Sequence, residues 1–455
     1  MIENITRKNQ KGKKITIIGL KKSGYAAALL GNELGAKIFV SDLNNNEEIT
    51  NNRNALINKG IECELGIHTN RIYDADYWVI SPGVPSDIGI IEKAKKINIP
   101  IIGEIEFASK LTKLPIIAVT GSNGKSTTVS IMHNMLKTES INPIIAGNIG
   151  IPLSKIILEE IQNPAIGNIL ILEISSFQLE FINQFRPKIS VFLNISPDHL
   201  DRHRNMDEYI KMKLKMIINS KEDDKIVYNE DDDTFRKEFS GHKPNEIAFS
   251  IKNKTQFFSV NKTKIYDEKN EIFCSLDEIL LRGKHNLSNL IAAATVAKIL
   301  KVDDNKIINT MRNYSGINHR LQTVRKLNGV TYINDSKATN IHSVIVATNS
   351  FDNPIILILG GKNKNSDFRL LLPHTKRHVK HIVSYGEAGG EIAAAIGDAV
   401  RLNRVSSLSQ AVASAHKLAA PGDIVLMSPG CASFDQFNNF EERGNKFAIL
   451  VKNLR

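Results

Sequence analysis

The decapeptide AVTGSNGKST at positions 118–127 restricts what this chain can fold into more than any other stretch. An apolar run, Pro115 to Val119, enters a turn holding Gly121 and Gly124, and Lys125, Ser126 and Thr127 follow at once. Glycines let a backbone aim its N–H groups at an anion, a lysine adds a cation, and a hydroxyl at a helix N-terminus suits Mg²⁺. Gly121, Ser122, Asn123, Gly124, Lys125, Ser126 and Thr127 are therefore expected to cradle a nucleotide phosphate. A standard phosphate loop has glycine where Val119 stands, so the match is to a shortened form. A bland glycine turn between strand and helix has no need of the lysine and both hydroxyls.

The 455 residues exceed one ordinary core, and at about 100–200 residues per domain three domains are expected. A 42% hydrophobic and 24% charged composition suits a soluble protein with a sizeable interior. The net charge of +11 is spread among acids with no aromatic-interleaved basic stripe, which argues against nucleic acid and for small anionic substrates. Cys63, Cys274 and Cys431 stand apart, as in a reducing cytosol, and offer no structural zinc set. The opening MIENITRKNQKGKK lacks a signal-peptide core, and no apolar run approaches the roughly 18 residues of a membrane span. A cytoplasmic protein without membrane insertion is expected.

Strands and helices alternate along the chain. KITIIGL, a turn at Lys21 to Gly24, a helical pattern to Leu34 and AKIFVSD ending at Asp42 make a βαβ unit. Gly19, Gly24 and Asp42 resemble a nucleotide-binding turn, although GxGxxG is absent and plain βαβ packing remains open. YWVISPG ends in Ser81, Pro82 and Gly83, and the alternation continues to about Phe107. Beyond the phosphate loop, INPIIAGNIG ends in the loop 147–150, NILILEISSFQLE delivers Glu173, and ISVFLNISPDHLDRH delivers Asp198, His199 and Asp201. Open α/β sheets bind ligands at such strand ends, so Glu173 and His199 are expected to converge on the phosphate loop and coordinate Mg²⁺. A lone loop histidine has a structural reading too. Lys211, Lys213 and Lys215 on the following helix read, by spacing alone, as a solvated basic face. Residues 221–275 read as short strands and turns of little chemical signal, and Asn286 and Asn289 open an Ala-rich helix. From about Ser315 the pattern resumes: VTYINDSKATN presents Asp335, Ser336, Lys337 and Thr339, PIILILGGKNKNSDF ends in a Gly-Gly turn and Lys364, and SPGCASFDQFNNFEERG leads into a helix bearing Arg443.

Together TGSNGKST, EISSFQLE, NISPDHLDRH, GKHNLSNL, NHRLQ, NDSKATN and SPGCASFDQFNNFEERG resemble the Mur ligase family of ATP-dependent amide-forming enzymes, in its order and spacing and over nearly the whole chain. The likeness is to the D-glutamate-adding branch. It implies an α/β chain of three domains: a Rossmann-like N-terminal domain (1–108) for the UDP end of the substrate, a central P-loop ATPase with a mostly parallel sheet (109–314), and a C-terminal Rossmann-like α/β domain (315–455) for the amino acid.

Carried over motif by motif, the resemblance makes Lys125, Glu173, His199 and Lys213 catalytic, with Ser126, Glu173, His199 and Lys213 as ligands of two Mg²⁺ ions. Lys213 stands where the family has a lysine carbamylated by CO₂, a change that makes an anion of a cation. Asn286, Asn289, Arg320 and Asp335 match nucleotide contacts. Ser23, Asp42, Gly83, Asn148 and His199 match contacts to the UDP-substrate, and Lys337, Thr339, Lys364, Ser433 and Phe440 match positions holding D-glutamate. Lys21 and Lys22 depart from the smaller residues common in the first turn, while Lys362 and Asn363 sit in a variable turn and carry no role.

The resemblance implies ATP-dependent joining of D-glutamate to UDP-N-acetylmuramoyl-L-alanine through an acyl phosphate, by a monomer, in peptidoglycan precursor synthesis. A DNPR-type motif of the diamino-acid-adding member is missing, and folylpolyglutamate ligases lack the SPGCASFDQF ending. A nucleotide-regulated binding module would need neither Glu173 nor the amino-acid motifs.

Overall fold

The computed structural model describes residues 5–148, 150–164, 167–196, 202–239, 243, 245–281, 283–316, 318–363, 366–397 and 399–455. They divide into two compact units, Met1–Tyr314 and Ser315–Arg455. Two parallel sheets lie in the first. β1 (Lys14–Ile18), β2 (Lys37–Asp42), β3 (Glu62–Leu65), β4 (Tyr77–Ile80) and β5 (Ile101–Gly103) run in the order β3-β2-β1-β4-β5. β6 (Ile116–Thr120), β7 (Pro143–Gly147), β8 (Ile169–Glu173), β9 (Ile189–Phe192), β10 (Lys225–Asn229) and β11 (Glu246–Phe249) run β11-β10-β9-β6-β8-β7.

β6 and β8 are buried at every residue, which is why they read as continuous apolar runs: helices cover a parallel sheet on both faces. Alternate side chains separate accordingly. Ala118, Leu170 and Leu172 join one core, and Ile117, Val119 and Ile171 another. The first of these cores also takes in Ile15, Ile17 and Phe107, so both parallel sheets share one apolar interior.

The short strands and turns expected between 221 and 275 are present among the described residues of that segment. Its strands β10 and β11 extend the central sheet, and β12 (Ser259–Val260), β13 (Lys264–Tyr266) and β14 (Ile272–Ser275) form a small antiparallel sheet. Phe258, Ile265 and Phe273 anchor it in the second core.

The second unit holds β15 (Gln322–Leu327), β16 (Val330–Asn334), β17 (Ile355–Gly360), β18 (Val379–Tyr385), β19 (Leu402–Arg404) and β20 (Ile424–Gly430), ordered β15-β16-β20-β17-β18-β19. All neighbours are parallel except β15 and β16. These two form a hairpin across Asn328 and Gly329, at φ +50 and +79, a two-residue turn that an Asn-Gly pair adopts with little strain. Among the described residues no helix is long and apolar enough to cross a membrane.

The short helix Glu104–Ser109 joins the two sheets of the first unit. Its buried Glu106 carboxylate accepts N–H bonds from Asn183 (3.0 Å), Gln184 (2.9 Å) and Phe185 (2.8 Å), capping a turn before β9. Glu104 Oε1 accepts the Ser154 N–H at 2.6 Å, and burial pushes this carboxyl above its ordinary range. Glu106→Ala strands three N–H donors and is expected to cost about 3 kcal/mol, with Glu106→Gln costing less. Urea denaturation checks this, and equal midpoints for alanine variant and parent would refute the capping role.

Candidate active site

Thr120 ends β6, and the helix Lys125–Leu136 begins five residues later. Gly124 stands at φ +84, and a Cβ there would collide with the Asn289 side-chain oxygen, so only glycine lets the helix Lys284–Ile299 close on the loop. The loop is laced to the end of β9. Ser122 N–H donates to Asn194 O at 2.8 Å and Asn123 N–H to Asn194 Oδ1 at 2.8 Å, while Asn194 Nδ2 donates to Asn123 O at 3.0 Å. Ser122 is thereby a framework residue: its hydroxyl donates to Ser196 O at 3.0 Å and meets the Tyr209 hydroxyl at 3.0 Å.

Two cations converge on this turn. Lys125 Nζ donates to Gly121 O at 2.7 Å and to Ser122 O at 2.8 Å, and Lys213 Nζ donates to Gly121 O at 2.9 Å. Lys213 is only 1% exposed and lies over the Tyr209 ring, 4.5 Å from its centroid. The solvated-face reading fails for this lysine. Lys211 alone of the three is exposed, and Lys215 donates to Glu180 O at 2.9 Å.

Glu173, 2% exposed, ends β8 beside β6, where Val119 pairs with it in register. Its Oε1 accepts Asn148 Nδ2 at 2.9 Å, and its buried Oε2 has no hydrogen-bond partner among the described residues. A buried carboxylate oxygen left over beside a phosphate loop fits a hard divalent cation, as does the Ser126 hydroxyl at the helix start. The described residues contain no preformed cluster of three or more His, Cys, Asp or Glu side chains, and His199 lies outside them.

At the C-terminal edge of the first sheet, Ser23 lies in the first turn of the helix Lys22–Glu33 after β1, Asp42 ends β2, and Gly83 follows β4. Asp42 holds this edge together: Oδ2 accepts Leu20 N–H at 2.6 Å, and Oδ1 accepts Asn44 N–H at 2.8 Å. The Ser81 hydroxyl donates to Gly19 O at 3.0 Å.

In the second unit, Asp335 lies just past β16. Ser428 Oγ donates to its Oδ2 at 2.7 Å, and Leu321 N–H to its Oδ1 at 3.1 Å. Burial pushes its carboxyl up to about 6, against the opposing pull of these bonds and of the Arg320 charge. Arg443 organises the neighbouring loops. Fully buried, it donates to Ser336 Oγ (2.9 Å), Ser336 O (2.8 Å), Cys431 O (3.1 Å) and Ala432 O (3.2 Å). It thus joins the loop bearing Lys337 and Thr339 to the loop bearing Ser433, while the Ser336 hydroxyl donates to Phe440 O at 2.8 Å. The sequence signalled Arg443 only as a charge on a helix. Lys364 lies outside the described residues. Asn286, one turn before Asn289, sits in the first turn of its helix.

The fold and the site define a phosphate-loop α/β protein with a buried carboxylate and a buried lysine beside the loop, followed by a second α/β unit. Comparison with known proteins places it further. Residues 119–297 match the Mur ligase middle domain, 319–431 the Mur ligase glutamate ligase domain, and 14–89 the MurD N-terminal domain. The UDP-N-acetylmuramoylalanine–D-glutamate ligase of Acidobacterium capsulatum is 39% identical, covering 97% of this chain and 96% of its own. The ligase of that name from Clostridioides difficile is 38% identical over 98% of this chain and 99% of its own. MurF from Acinetobacter baumannii shares the fold at a TM-score of 0.58 and 16% identity, covering 96% of this chain and 93% of its own. The chain belongs to the Mur ligase family.

The folded Asp335 carboxyl holds its proton more tightly than an unfolded one. Its neutral form favours the folded state at low pH, and that contribution is lost as pH rises from about 4 through about 6. The stability of Asp335→Asn relative to the parent is expected to rise across this window by up to about 3 kcal/mol, then level off. Denaturant midpoints between pH 4 and 8 test it; a difference that stays constant with pH would rule it out.

Proposed function

We infer that this chain is an ATP-dependent ligase that joins D-glutamate to UDP-N-acetylmuramoyl-L-alanine in peptidoglycan precursor synthesis, releasing ADP and phosphate. Family membership supplies the reaction class. The observation that carries the site reading is the convergence of Lys125 and Lys213 on Gly121 O beside the half-satisfied Glu173.

A carboxylate does not accept an amine at neutral pH, so it must be activated. The substrate carboxylate attacks the γ-phosphorus of ATP, the bond to the bridging oxygen breaks, and ADP leaves an acyl phosphate. The amine of D-glutamate then attacks the acyl carbon, loses a proton and expels phosphate. In the first step two anions approach, and Lys125 with the loop N–H groups offsets their repulsion. Glu173, Ser126 and His199 are the residues that would hold Mg²⁺, which when bound supplies charge neutralisation for the transferring phosphoryl oxygens. A carbamate on Lys213 would turn this cation into an anion that could hold a second Mg²⁺.

Residues 1–108 take the UDP end through Ser23, Asp42, Gly83 and Asn148, residues 109–314 take ATP, and residues 315–455 take the amino acid. Asn286, Asn289, Arg320 and Asp335 serve the nucleotide. Lys337, Lys364, Thr339, Ser433 and Phe440 serve D-glutamate, whose two carboxylates suit lysines and hydroxyls. The enzyme works in the cytoplasm as a monomer.

Phosphate release with UDP-N-acetylmuramoyl-L-alanine, ATP and each D- and L-amino acid in turn tests the reading. Release with D-glutamate alone is expected, and release with another amino acid but not D-glutamate would overturn it. Lys213→Ala is expected to lose at least about 10²-fold in kcat and to regain part of it with small carboxylates; full activity without additive would sink the carbamate.

A further inference from the structure

Arg202 is absent from every role assigned above. Its Nε and Nη2 donate to Glu180 Oε1 and Oε2 at 3.0 and 2.7 Å, and Nη2 also donates to the Val84 carbonyl at 2.8 Å. The guanidinium lies over the Phe177 ring, 4.8 Å from its centroid. Its neighbour His203 stacks on the same ring at 5.7 Å and shares a 2.9 Å hydrogen bond with the Ser176 hydroxyl. Both ion-pair partners are largely buried, with side chains 17% and 6% exposed, so this pair is screened far less than a surface salt bridge.

Three segments meet at this guanidinium. Val84 N–H closes a turn onto Ser81 O at 3.0 Å, and the Ser81 hydroxyl binds Gly19 O, so the turn around Gly83 is fixed to the end of β1. Glu180 ends the short helix Ser176–Leu179, which begins three residues after Glu173. Arg202 itself lies just before the helix Met206–Leu214, which carries Lys213. We propose that Arg202 is a positioning residue for ligation, fixing the turn that presents the sugar-nucleotide against the Glu173 and Lys213 side of the site. The inference rests on the substrate assignments of the proposed function. Arginine suits the place because its planar fork meets both carboxylate oxygens and still reaches a third acceptor, which a lysine ammonium cannot do in this geometry. The third acceptor is a backbone carbonyl, so the contact fixes main chain rather than a side chain free to re-orient.

Steady-state kinetics of Arg202→Met, Arg202→Lys and Glu180→Gln, with each substrate varied separately and thermal melting alongside, test the proposal. Arg202→Met is expected to raise KM for the UDP-substrate about tenfold or more and to lower kcat, leaving KM for ATP within about twofold, since a misplacement near 1 Å costs on the order of 10²-fold. Arg202→Lys is expected to recover little of this despite keeping the charge, and Glu180→Gln to fall between. If the methionine variant does not fold, the lysine variant carries the same comparison. Parental kinetics in Arg202→Lys, or all three KM values rising together with a fall in folded fraction, would overturn the positioning role. Wild type lacking D-glutamate-dependent phosphate release would instead defeat the functional reading itself.

Discussion

One carbonyl oxygen, that of Gly121, accepts hydrogen bonds from two lysine ammonium groups that come from different helices. The arrangement holds only because the turn cannot move. β6, buried at every residue, delivers it from the interior of a parallel sheet, Asn194 clips two of its peptides, and Gly124 lets Asn289 pack against it. The positive charge of Lys125, brought into a low-dielectric site, acts strongly on any anion that enters, but only if its position is set beforehand. Most of the first unit's architecture serves that requirement.

The parts of the site written as local pattern were legible in the sequence. Glycine, lysine and hydroxyl fall together in AVTGSNGKST, and apolar runs ending in Glu173 or Asp335 mark the rims of buried parallel strands. Lys213 was not legible from spacing, since Lys211, Lys213 and Lys215 alternate alike and only the packing of Tyr209 and Gly121 sets one apart. The hairpin of β15 and β16 carried a readable Asn328-Gly329 signal, yet the strand entering it, QTVRKL, mixes polar and apolar residues as an edge strand does. Asp42 was legible as a strand-end carboxylate but not as a brace, because its partner Leu20 is 22 residues away. Arg202 falls within NISPDHLDRH but its bracing role was not legible, for its acceptor Val84 is 118 residues distant.

Both units solve one problem by the same device: long side chains from a distant segment fasten the loops at strand ends. In the second unit Arg443 binds four acceptors, none of them a carboxylate, on two loops separated by nearly the whole sheet sequence. A buried guanidinium with only neutral acceptors is costly to desolvate, so it persists where its several fixed N–H vectors do what a smaller group cannot. Its charge also has a consequence beyond fastening. Held in the interior behind Ser336 and Ala432, it brings a positive charge beneath the loops bearing Lys337 and Ser433, which suits the two-carboxylate amino acid proposed for them. The residue that sets the loops in place thus also carries a charge of the sign that the proposed ligand requires.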